Sequence, residues 1–365
     1  MDNRILASRL LGPLLCLPLA LPTPTVASAV EPKAADSSGP CAIEGVERIV
    51  AVGDVHGAYE SFVAILKTTG IIDARLRWSG GRAHLVQMGD VLDRGPDSRK
   101  ALDLLRRLES EAPRAGGRVH ALLGNHEVMR MLGDLRYASP GEYAEFRTPG
   151  SVALRDKIYR SEALDALRRS EAASEPFDEK AFRERFQENV PLGQVEMRLA
   201  FGSEGEYGRW LRQHDAMVRI NGVVFLHGGV SPAVASLGCR GANETIRREL
   251  TTGMPEVRAS PATSLASRAD GPLWYRGLAG EDETAFAPQL AEILSKLEVR
   301  AIVIGHTVAP GERIVSRFGG RVFPIDTGML RSYAPQGRAS ALEIRDGRFT
   351  AIYEDRRDVL LEPKQ

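Results

Sequence analysis

Along this chain, short unbroken apolar runs alternate with stretches in which apolar residues recur every three or four positions. "RIVAVGD" (48–54), "HLVQMGD" (84–90) and "RVHALLGN" (118–125) are of the first kind. Each closes on glycine and a polar residue, the pattern of a strand buried on both faces. "AYESFVAILKTTG" (58–70) is of the second kind: Phe62, Ile65 and Leu66 share a helical face, and Gly70 is a natural stop. "PDSRKALDLLRRLESEA" (96–112) repeats this with Leu102, Leu105 and Leu108, and Pro96 suits a first helical turn. Strand–helix–strand–helix–strand predicts right-handed crossovers and a parallel or mixed sheet, an α/β fold.

The rhythm lapses over residues 128–215. That stretch is rich in Arg and Glu and carries helical patches such as "DEKAFRERFQENV" (178–190). Recurring Phe, Leu, Trp and Tyr argue against a disordered linker, so a mostly helical insertion is predicted. Beyond it, "AMVRINGVVFLHGG" (216–229) predicts a hairpin about Asn221-Gly222, and "RAIVIGHT" (300–307) another buried strand. Two further hairpins are predicted over 313–328 and 340–354, turning at Gly319-Gly320 and Asp346-Gly347. One main domain over 46–355 results, with a flexible stretch before it (30–45) and a tail after it (356–365).

The first 29 residues are different in kind. Arg4 and Arg9 precede the apolar run 10–21, and Ala27-Ser28-Ala29 forms a small-residue cleavage site. This predicts a secretory signal peptide cut after Ala29. Its apolar run is shorter than the roughly 20 residues a membrane span needs. The mature protein is therefore expected to be exported, periplasmic or secreted, without stable membrane insertion. Export would permit a bridge between Cys41 and Cys239, but sequence cannot place their Cα atoms, so bridged and free thiols both stay open. The 48 basic and 48 acidic residues balance. That argues against a protein whose main partner is nucleic acid or an anionic membrane surface. Oligomeric state is not legible.

The strand ends carry the chemistry. The first delivers Asp54 and His56, the second Asp90, Asp93 and Arg94 ("GDVLDRG", 89–95), the third Asn125 and His126 ("GNHE", 124–127). Later strands deliver His227 ("FLHGG") and His306 ("IGHT"). In open α/β sheets the carboxyl ends of strands are where ligands bind. Any one fragment is more often a satisfied turn or a core histidine; five glycine-flanked fragments, each at a strand end, are hard to explain as packing. Mixed carboxylate, amide and imidazole donors suit Mn, Fe or Zn, and six candidate ligands are natural for two ions, with a carboxylate such as Asp90 able to bridge them. His84, His120 and His214 fall outside this pattern and read as ordinary structural histidines.

Taken together, "GDVHG", "GDVLDRG", "GNHE", "LHGG" and "GHT" resemble the calcineurin-like metallophosphoesterase superfamily, in that family's order, over about 48–350. "GDVLDRG" and "GNHE" resemble its phosphoprotein phosphatase branch. "GRWLRQHDAMVRINGVVFLHGGVSP" (208–232), "GPLWYRG" (271–277) and "VIGHT" are most similar to the Shewanella-like, bacterial-type protein phosphatases. Eukaryotic Ser/Thr enzymes have an Arg-Ala-His-type motif where this chain has Gly305-His306-Thr307, so Ser/Thr specificity does not follow.

The resemblance implies a layered α-β-β-α sandwich and two divalent or mixed-valence metal ions. It implies Asp54 and His56 on the first metal, Asp90 bridging, and Asn125, His227 and His306 on the second. It further implies His126 as general acid, Asp93 orienting it, and Arg94 and Arg276 on phosphate oxygens. The expected activity is phosphomonoester hydrolysis by metal-activated hydroxide, on a phosphorylated protein or peptide, with phosphotyrosine favoured over phosphoserine or phosphothreonine. Alternatives are a small-molecule phosphatase or dinucleoside polyphosphate hydrolase of the same superfamily, or an inactive binding module; the last conflicts with a full set of ligand-type residues.

Overall fold

A computed structural model describes residues 41–173 and 176–363. The predicted leader and most of the stretch after it lie outside the described residues.

The strands are β1 (Ala42–Ile43), β2 (Arg48–Val52), β3 (His84–Gln87), β4 (Arg118–Ala121), β5 (Met217–Ile220), β6 (Val223–Leu226), β7 (Ala301–Ile304), β8 (Val322–Pro324), β9 (Ser340–Arg345), β10 (Arg348–Tyr353) and β11 (Arg357–Leu361). They form two mixed sheets, ordered β1-β5-β6-β7-β8 and β11-β10-β9-β2-β3-β4. The three strands read first, β2, β3 and β4, pair in parallel as neighbours.

Alternation along the strands explains the layering. Ile49 and Ala51 of β2, with Val86 of β3, join Val218, Val223, Phe225 and Val303 of the other sheet in one buried cluster. Phe323 and Phe349 stack within it at 4.4 Å between ring centroids. The alternate residues Val50, Val52 and Leu85 face outward and pack with the apolar faces of α1 (Tyr59–Thr68) and α2 (Ser98–Glu111). Burial on both faces is why these strands read as unbroken apolar runs. Pro96 precedes α2 rather than opening it; Asp97 is the N-cap.

Among the described residues the expected insertion is mostly helical: α3 (Asn125–Leu132), α4 (Pro140–Glu145), α5 (Ser151–Ala173), α6 (Glu179–Asn189), α7 (Gln194–Phe201) and α8 (Glu206–Leu211). It is anchored by a stacked Phe201–Tyr207 pair against Phe146. α9 (Pro232–Thr251), α10 (Met254–Ala259), α11 (Gly277–Gly280) and α12 (Glu283–Leu297) follow, and α9 and α12 pack together over the five-stranded sheet. Helices therefore cover both outer faces, giving the expected α-β-β-α sandwich.

Three expectations need correction. The hairpin over 313–328 is half present: Gly319 and Gly320 turn with positive φ, but Arg317 makes only an isolated bridge to Val322. Instead β8 pairs in parallel with β7. Residues 357–361 are not a loose tail but β11, antiparallel to β10. The stretch before residue 46 also contributes structure, since β1 pairs with β5 and Cys41 is disulfide-bonded to Cys239, Cα atoms 6.0 Å apart. The other two hairpins form as expected, with Asn221-Gly222 and Asp346-Gly347 in the left-handed region their turns require.

Candidate metal centre

Five strand ends converge. β2, β3, β4, β6 and β7 run into the segments holding Asp54 and His56, Asp90 and Asp93, Asn125 and His126, His227, and His306. Non-glycine residues with positive φ concentrate there: His56, Asp90, Asp93, Arg94 and His306 lie between +46° and +70°. Such conformations cost free energy and persist where packing enforces them, commonly at functional sites. Two glycines make the crowding feasible. A Cβ on Gly124 would collide with Asp90 Oδ1, and one on Gly305 would come within 2.5 Å of Asp54 Oδ1.

Asp90 lies at the centre. Its Oδ2 is 3.2 Å from His227 Nε2, 3.7 Å from His56 Nε2 and 3.7 Å from His126 Nε2. Two sets of donor atoms, His56–Asp90–His126 and Asp90–His227–His306, each fall within 4.8 Å of one another, and Asp90 belongs to both. Asp54 completes the edge: its Oδ2 is 3.9 Å from His56 Nε2 and its Oδ1 is 3.9 Å from His227 Nδ1. Asn125 Oδ1 lies 2.9 Å from His227 Nε2. All six predicted ligands are thus brought together, and all are buried.

The donor chemistry fits cations. His56 and His227 each turn Nδ1 to a backbone carbonyl, of Leu92 and Met88, which fixes Nε2 toward the cluster. His306 Nε2 is buried and has no hydrogen-bond partner among the described residues. Burial holds His56 down to about 4 and, reinforced by His227, His306 to about 2. Both imidazoles therefore keep a free lone pair at neutral pH. Burial works against ionisation of Asp90, but the surrounding histidines outweigh it and keep the carboxyl well below its usual range. Asp54 behaves oppositely: burial, then repulsion from Asp326 and Asp90, pushes it well up. Cations among these carboxylates would relieve that repulsion.

His126 has a different setting. Its Nδ1 is 2.6 Å from Asp93 Oδ2, leaving Nε2 toward Asp90. Burial opposes its protonation, but Asp90 and Asp93 together raise its pKa above the ordinary histidine value. Arg94 stands at the rim against Tyr333 and Tyr137. Arg276 Nη1 reaches the other side, donating to His306 O at 3.1 Å and Thr307 Oγ1 at 2.8 Å. His84, His120 and His214 belong to neither donor set: the first two contact each other at 3.1 Å, and His214 meets Glu109 at 3.3 Å.

Sequence reasoning missed four supporting residues. Glu127, in the quoted "GNHE", accepts from the backbone N–H groups of Asp90, Val91, Leu92 and Gly124, locking two strand ends together. Arg130 pairs with Asp93 and Glu142, and Glu142 also accepts from Asp93 N at 3.0 Å. Asp326 is buried close to Asp54 and helps to push that carboxyl up. Asp326 follows an apolar run and precedes Gly328, the same signature as the other ligand segments, and could have been found by it.

Comparison with known proteins agrees with this geometry. Residues 47–310 match the calcineurin-like phosphoesterase family. Shewanella-like protein phosphatase 2 of Arabidopsis thaliana is 30% identical, over 83% of this chain and 76% of its own length. Shewanella-like protein phosphatase 1 of Plasmodium berghei is 28% identical, over 84% and 74%. The crystal structure of a cold-active protein-tyrosine phosphatase from a psychrophilic Shewanella species superposes with a TM-score of 0.67 at 28% identity, covering 88% of this chain and 83% of that one. A chain whose strand ends gather these donors, and which matches the family over most of its length, belongs to the calcineurin-like metallophosphoesterases and has Shewanella-like protein phosphatases among its homologues.

Proposed function

We propose that this chain is an exported, dinuclear-metal protein phosphatase acting on phosphotyrosine, with phosphoserine and phosphothreonine as secondary substrates. The observation that carries the reading is the place of Asp90, shared by two donor sets, with His126 Nε2 beside it and Arg94 at the rim. Asp54, His56 and Asp90 would hold one ion, and Asp90, Asn125, His227 and His306 the other. Such a pair of ions supplies Lewis acidity that activates water and neutralises charge on a phosphoryl group.

The chain's own residues do the rest. Arg94 and Arg276 flank the cluster and would bind phosphate oxygens, for which planar guanidinium forks are suited. His126 would hold the proton on Nε2 and release it to the leaving alkoxide or phenoxide oxygen. Asp93 fixes the tautomer that makes this feasible, accepting from Nδ1. Phosphotyrosine is favoured because a structural neighbour at 28% identity is named a protein-tyrosine phosphatase. Export is supported by the N-terminal sequence and by the Cys41–Cys239 bond, since disulfides persist chiefly in oxidising compartments.

The test is hydrolysis of phosphotyrosine peptide, phosphoserine peptide and diadenosine tetraphosphate, with Mn²⁺ and with chelator. Metal-dependent activity, highest on phosphotyrosine peptide, is expected. A strong preference for the nucleotide would transfer the chain to the polyphosphate hydrolases, and activity untouched by chelation would remove the metal reading. For export, the full chain recovered from the periplasm of a bacterial host should begin at Val30.

A further inference from the structure

Arg94 is a half-buried guanidinium with no carboxylate partner among the described residues. Its neighbour Asp93 is committed to His126 and Arg130, and Arg94 Nε has no hydrogen-bond partner among the described residues. What holds Arg94 is aromatic. Its Cζ lies 3.9 Å from the ring centroid of Tyr333 and 5.1 Å from that of Tyr137, and its backbone N–H donates to Tyr137 O at 2.9 Å.

The two rings come from distant parts of the chain, Tyr137 from the loop after α3 and Tyr333 from the loop after β8. Each also touches the centre: Tyr137 lies 5.2 Å from the His126 ring and Tyr333 6.0 Å from the His56 ring. Yet they are 43% and 45% exposed, so they stand at the rim rather than in the core. How Arg94 is held matters. A carboxylate would occupy the N–H donors of the guanidinium and cancel its charge. A ring takes only its face, leaving the terminal Nη donors and full charge for an incoming anion.

We propose that Tyr137 and Tyr333 are positioning residues that grip Arg94 by cation–π contact so that it can receive a phosphomonoester dianion. This rests on the reading of Arg94 as a phosphate-binding residue. The clamp joins the helical insertion to the loop after β8, so phosphate affinity depends on both segments being in place.

Orthophosphate is the suitable probe, because it has no ring of its own to stack. Its affinity is measured by calorimetry on the Mn²⁺-loaded full chain, and as competitive inhibition of p-nitrophenyl phosphate hydrolysis. Tyr333→Leu is expected to weaken orthophosphate about 5–30-fold, the range for losing a partly desolvated cation–π contact. KM should rise more than kcat falls. Tyr333→Phe, which keeps the ring, should stay within about twofold of the parent. In an Arg94→Ala background, Tyr333→Leu should add no further loss, since contacting residues are non-additive. Equal losses in both backgrounds, or a Phe variant as damaged as the Leu variant, would overturn the clamp. If Arg94→Ala alone leaves orthophosphate affinity unchanged, the reading of Arg94 itself fails instead. Tyr137→Leu and Tyr137→Phe give the same comparison on the other wall.

Discussion

Asp93 Oδ2 is 2.6 Å from His126 Nδ1, and the same carboxylate is paired through Oδ1 to the buried Arg130. The imidazole is thereby held in one tautomer, with Nε2 free beside Asp90. Asp93 and Asp90 both raise the pKa of His126. A general acid must carry its proton, so turnover should fall as pH rises through that raised pKa. Asp93→Asn removes one of the raising charges, which moves this alkaline limb to lower pH. The expected outcome is that shift together with a fall in kcat of about 10²-fold or more, the scale of losing a correctly poised acid. A pH–rate profile with an unmoved limb would show that Asp93 does not act through His126.

His126 itself needs a separate test, because its Nε2 also falls within one of the two donor sets. Its bond to Asp93 and its raised pKa favour the acid over the ligand. His126→Asn should keep the metal content of the parent, read by elemental analysis, while lowering kcat by about 10²–10⁴-fold. Metal content falling with activity would make His126 a ligand.

Asp90 is the one carboxylate common to both donor sets. Asp90→Asn should therefore weaken both ions together, and metal titration should show two affinities falling in parallel. Metal-binding carboxylates act through charge, and the amide removes it. Loss of a single ion, with the other unaffected, would show that Asp90 does not bridge.

How legible this centre was in sequence follows from where each residue sits. Ligands carried at strand ends announce themselves, because a buried strand is an unbroken apolar run and the turn after it needs glycine. Asp54, His56, Asp90, Asn125, His227 and His306 were all found that way. Glu142 and Arg130 were not, because they lie on helices of an insertion whose charged residues mostly face solvent, and only the fold sets these two beside Asp93. Asp326 was passed over because the hairpin expected over 313–328 made its strand an antiparallel arm, whereas β8 pairs in parallel with β7 and ends at the site. β11 was missed since "RDVLL" (357–361) alternates weakly, and its partner β10 decides its state.

The Cys41–Cys239 bond closes a span of 198 positions and ties β1 to α9. A cross-link over so long a loop restricts the unfolded chain, typically contributing about 2–4 kcal/mol. Thermal melts with and without reductant should differ accordingly, and Cys41→Ser with Cys239→Ser should reproduce the reduced form. The site's donors are on other segments, so metal content at ambient temperature should be retained. Identical melting of both forms would mean the bond contributes nothing to stability.

His84 and His120 face one another at 3.1 Å across β3 and β4. Burial is the largest influence on both, and Arg118 adds to it, holding His84 down to about 4 and His120 to about 3. In the unfolded chain each would titrate near the ordinary histidine value of about 6.5. Between those limits the unfolded state binds more protons than the folded one, so stability rises with pH. The contribution is complete above about 6.5 and is lost as pH falls toward 4. Other depressed histidines in the metal centre add a slope of their own, so the test is a difference. The melting temperature of His84→Gln/His120→Gln should fall less steeply than that of the parent between pH 6.5 and 4, both proteins being metal-free. Parallel pH profiles for the two proteins would show that this pair does not take up protons on unfolding.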